Sequence, residues 1–115
     1  MKYEMVKAYT EARKQFGEDG PNETAFANCQ AFIDGIRPGA ALPCWFDEDI
    51  AGAIGLGICG PSYSGRAFLT FSNSGVNMLS LSGVPAKEDV QPRVREVTGQ
   101  TATEIMAIVE KWLLP

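Results

Sequence analysis

The chain has 115 residues, of which 45% are hydrophobic and 21% charged, and its formal net charge is −4. That profile predicts one folded domain, 1–115, with its own core, and it excludes a disordered tail. The acidic balance argues against direct, sequence-independent nucleic-acid binding, which draws most of its affinity from Lys and Arg neutralising phosphates.

From Lys2 to Phe16, Met5, Tyr9, Ala12 and Phe16 recur three and four residues apart among charged residues, which predicts an amphipathic helix ended by Gly17. Glu18-Asp-Gly-Pro21 is a turn cluster, and Asn22 caps a second helix with the stripe Ala25, Phe26, Cys29, Phe32, Ile33 and Ile36. Arg37-Pro-Gly39 stops it. Asn22-Glu-Thr24 also matches a glycosylation acceptor, but a helix start is the better reading.

Between Ile50 and Ala86 the only Asp, Glu, Lys or Arg is Arg66, so this segment is expected to be covered. Ala41 to Phe46 reads as a strand, with Pro43 favouring a sheet edge. Ile50 to Cys59 fits two templates. As a strand it puts Ile54, Leu56 and Ile58 on one face and Ala53, Gly55, Gly57 and Cys59 on the other. As a helix, Asp47 would cap it and Gly60-Pro61 end it, at a cost of about 1 kcal/mol for each internal glycine. The glycines favour the strand. Arg66–Ser72 and Val76–Ser82 form a hairpin around Asn73-Ser-Gly75.

After the break at Gly83-Val-Pro85, Ala86 to Val97 is expected to be a short helix with Val90, Val94 and Val97 on one side. Thr101-Ala-Thr-Glu104 is a capping box leading into a helix with Ile105, Ile108, Val109 and Trp112 inward. The predicted class is α+β, with two N-terminal helices, a central antiparallel sheet of three or four strands, and one or two C-terminal helices.

The sequence has no histidine, which removes the commonest general base, the usual metal ligand and the His-activated nucleophile. Cys29, Cys44 and Cys59 lack the spacings of zinc or redox sites and read as structural thiols. Asp47-Glu-Asp49 is the densest acidic cluster, and two of its carboxylates could face a divalent cation, but a solvated turn is the simpler reading. Gly55, Gly57 and Gly60 spell GxGxxG, yet Pro61 and a Ser/Gly-rich loop follow where a Rossmann site needs a helix. The dinucleotide reading is therefore rejected. No enzyme activity, cofactor or metal is expected.

Two functions follow. The first is a non-catalytic binding protein, an inhibitor, adaptor or accessory factor, that works through protein contacts at Trp45, Phe46, Asp47, Glu48 and Asp49, as a homo-oligomer. The alternative is a receptor or sequestering protein for an anionic, nucleotide-like small molecule. It would use Ser62, Tyr63, Ser64 and Arg66 of the Gly60–Arg66 loop. The N-terminal residues lack the apolar run of a signal peptide and no stretch has the roughly 20 apolar residues of a membrane span, so a cytoplasmic location without membrane contact is expected.

Overall fold

A computed structural model describes residues 2–36, 44–60, 65–83 and 90–114. Helix α1 covers Lys2–Phe16 and closes at Gly17, whose φ of 60° lies in the left-handed region that favours glycine. A 3-10 turn at Gly17–Asp19 leads to α2, Glu23–Gly35. The Asn22 side chain accepts from the backbone N–H of Thr24 and Ala25, satisfying two donors that the first helical turn leaves free. The amide of the would-be glycosylation acceptor is thus engaged as a helix cap.

Strands β1 (Cys44–Asp47), β2 (Ala53–Cys59), β3 (Arg66–Ser72), β4 (Asn77–Ser82) and β5 (Val94–Glu96) form one sheet in chain order, with every neighbour antiparallel. Helix α3, Ala102–Leu113, follows. The class is α+β, with two helices before the sheet and one after it among the described residues. Residues 37–43, including the Arg37-Pro-Gly39 stop and Pro43, lie outside the described residues, as do 61–64 and 84–89.

Two expectations are corrected. The sheet has five strands, and the part of the Ala86–Val97 segment that is described contains a strand instead of a helix. Pro92 cannot donate within a helix, while the open edge of β4 offers backbone partners. Leu81 N–H donates to Arg93 O at 2.8 Å, and Val97 N–H to Asn77 O at 2.8 Å. Val97 and Val90 are buried, whereas Val94 is 60% exposed, so the three valines do not share one side.

Period-two alternation divides the sheet into two faces. On the inner face Phe46, Leu56, Leu69 and Leu79 are register partners in one row, flanked by Ile54, Phe71, Ile58, Ala67 and Leu81. Met5 of α1, Cys29 and Phe32 of α2, and Ile105, Val109 and Trp112 of α3 join them in a single apolar cluster. Trp112 is fully buried, and its indole N–H donates to Ser82 O at 3.0 Å, which ties α3 to the last residue of β4. The capping box is present: Thr101 Oγ1 accepts from Glu104 N–H, and the Glu104 carboxylate accepts from Thr101 N–H.

The β3–β4 turn ties sheet to helices. Asn73 Oδ1 accepts from Asn22 N–H at 2.7 Å, its Nδ2 donates to Gly20 O at 2.9 Å, and its backbone N–H donates to Gly52 O at 2.9 Å. One asparagine therefore links the hairpin, the α2 cap and the β1–β2 connection. Among the described residues no helix is long and apolar enough to cross a membrane.

Candidate functional site

Of the residues singled out by the sequence, Trp45, Asp47 and Arg66 fall on the second face of the sheet, together with Gly55, Gly57 and Cys59 of β2. Pairing carries the row Trp45, Gly57, Phe68, Ser80 and Val94 across all five strands. The parallel row is Asp47, Gly55, Thr70, Met78 and Glu96. Nearer one end of the strands lie Cys59, Arg66 and Ser82. All three helices bury their apolar stripes against the inner face, so among the described residues this outer face carries no helix.

The glycines of β2 explain how the outer face is built. A Cβ on Gly57 would overlap Cζ2 and Cε2 of Trp45, so the indole occupies the space directly over the Gly57 backbone. A Cβ on Gly55 would sit 2.5 Å from Phe68 Cζ and 2.7 Å from Ile50 Cδ1. Both glycines are buried, although each is on the side away from the helices. Rings from the neighbouring strands occupy the space that side chains of β2 would otherwise fill, a close approach that only glycine permits. The GxGxxG spacing thus serves ring packing on a strand.

Trp45 remains 42% exposed and Val94 60% exposed, while Phe68 and Met78 are half-buried. The Trp45 row has no ionisable side chain. Charge sits around it: Asp47 and Glu96 stand at the two edges of the next row on one side, and Arg66 stands in the central strand on the other. Arg66 is exposed, and its side chain has no hydrogen-bond or ion-pair partner among the described residues.

The expected contact residues separate. Phe46 points to the inner face and packs against the core, opposite to Trp45 and Asp47. Asp47 Oδ1 accepts from Asp49 N–H at 2.9 Å, a side-chain turn that closes β1. Glu48 is half-buried and Asp49 exposed, and among the described residues no three acidic or thiol side chains gather as a metal site would require. Of the expected ligand loop, Ser62, Tyr63 and Ser64 lie outside the described residues, and Arg66 opens β3.

Phe68, Met78, Val94 and Ile50 join this surface without having been singled out. The signal for Phe68 was available, because Phe68, Thr70 and Ser72 alternate with Ala67, Leu69 and Phe71. For Val94 it was hidden by the helical reading. Cys29 and Cys59 are free and buried, and burial pushes the Cys29 thiol up to about 12. Comparison of the chain with family models, with curated proteins and with solved structures gave no match.

Proposed function

We propose that the chain is a non-catalytic binding protein whose working surface is the outer face of its sheet, with Trp45 as the anchor. The observation that carries this reading is the uncharged row Trp45, Gly57, Phe68, Ser80 and Val94, which crosses the whole sheet and ends in two exposed apolar side chains. Isolated exposed apolar residues are ordinary on any surface; a contiguous row rimmed by polar and charged groups is the pattern of a protein contact. Trp is also among the residues that most often dominate interface energy.

Native mass spectrometry of the protein taken gently from its source host tests this. The wild type is expected to carry a bound protein chain, of its own kind or another, and Trp45→Asp to lose it while thermal melting shows it folded. A bound chain that stays on Trp45→Asp would remove the outer face from the reading.

A second reading, an anionic nucleotide-like ligand at the Gly60–Arg66 loop, draws on the exposed Arg66 guanidinium. Arg66→Ala should then weaken binding in calorimetry against a panel of nucleotides, and no binding by the wild type would end it.

A further inference from the structure

We infer that the outer face is self-complementary and that its occupant is a second copy of this chain, packed face to face with its strands running antiparallel to those of the first. The inference rests on the outer face being the working surface. What it adds is the partner and its orientation, both read from where the charges stand.

With the strands of the two copies aligned, two symmetric ways exist to lay this sheet on itself. A two-fold axis along the strands would keep each row in place and exchange the edges. Arg66 would then lie over the second copy's Arg66, and Asp47 over the second copy's Glu96, both like-charge contacts. A two-fold axis along the Trp45 row reverses the strand direction instead. Trp45, Phe68 and Val94 then meet their own counterparts, apolar on apolar, and Arg66 passes over the row that carries the second copy's Asp47 and Glu96. Those acids flank it from both sheet edges. Aligned sheets pack about 10 Å apart and cross at about 30°, which brings the long Arg66 side chain towards one of them. Electrostatics therefore separates the two arrangements in favour of the antiparallel one.

Size sets the expected strength. The sheet is five strands wide and at most seven residues long. At about 4.8 Å between strands and 3.3 Å per residue, it offers roughly 400–500 Å² per copy. A dimer burying roughly 900 Å² in total belongs with weak, reversible associations. The rings favour it all the same, because Trp45 and Phe68 fill the space over Gly57 and Gly55 and so present apolar area to the second copy.

The test is a charge exchange read by sedimentation equilibrium. The wild type should associate reversibly in the micromolar range and less tightly at high salt. Arg66→Glu alone and the double variant Asp47→Arg/Glu96→Arg should each weaken self-association about fivefold, since each homodimer then holds two like-charge contacts whichever acid the side chain at 66 meets. An equimolar mixture of the two variants should regain wild-type association, because both contacts in the mixed dimer are again of opposite sign. A wild type that stays monomeric overturns the inference. So does a mixture no tighter than its components. If sedimentation finds only monomer while a different protein is bound by the wild type and lost by Trp45→Asp, the outer-face reading stands and the self-complementary one falls.

Discussion

Replacing Gly57 by Ala perturbs the outer face at its most crowded point. The backbone there has no left-handed φ, so alanine meets no conformational obstacle, and the strand interior should gain about 0.5–1 kcal/mol from the substitution alone. Opposing this, the new methyl overlaps the indole of Trp45, which must retreat by more than about 1 Å to reach ordinary contact distance. Trp45 is 42% exposed, so space to swing outward exists, but doing so uncovers on the order of 60–80 Å² of apolar surface, worth about 1.5–2 kcal/mol. The loss exceeds the gain. Gly57→Ala is expected to destabilise the fold by about 1 kcal/mol in urea unfolding, with a red-shifted emission from Trp45. Trp112, fully buried, supplies the unshifted component. The sharper reading comes from repeating the substitution in a Trp45→Ala background, where only the backbone gain is left, so the change should reverse sign. The coupling between the two sites should then be about 1.5–2 kcal/mol. A penalty of the same size with and without Trp45 would refute the packing explanation.

Asn73→Ala removes the acceptor of Asn22 N–H and the donor to Gly20 O, and should cost about 2–3 kcal/mol by chemical denaturation, far more than a typical turn substitution. Thr101→Ala should cost about 1 kcal/mol, since it removes the side-chain half of the α3 capping box. Cys29 should resist iodoacetamide in the native protein at pH 8 and react on unfolding. Because burial raises its folded pKa from an ordinary thiol's 9.0 to about 12, the stabilisation it gives is complete below about pH 9 and is lost as pH rises towards 12; a Cys29→Ala variant should show a flatter stability profile over that range.

Local patterns were enough for the helices. Spacing of apolar residues, a capping asparagine, a capping box and a terminating glycine all act within one or two turns of chain, so α1, α2 and α3 can be read without knowing what they pack against. The Arg66–Ser82 hairpin is equally local, since its turn residues and alternating strands are contiguous. The β5 segment is not. Its three valines fit a helical spacing, and only pairing with the free edge of β4 decides for the extended form.

The contact surface divides in the same way. The sequence by itself determined that β2 presents small residues on one side, that Trp45 and the acids cluster near it, and that Arg66 is the lone charge of the central segment. Only the tertiary structure decided that Phe46 turns inward while Trp45 lies over Gly57, and that Phe68 and Val94 extend its row to the far edge. The physical reason is register. A strand's sequence specifies which residues share a face, but which residue of the next strand lies beside each of them is settled by hydrogen-bonded pairing across the sheet, and a shift of one residue would send every side chain to the opposite face.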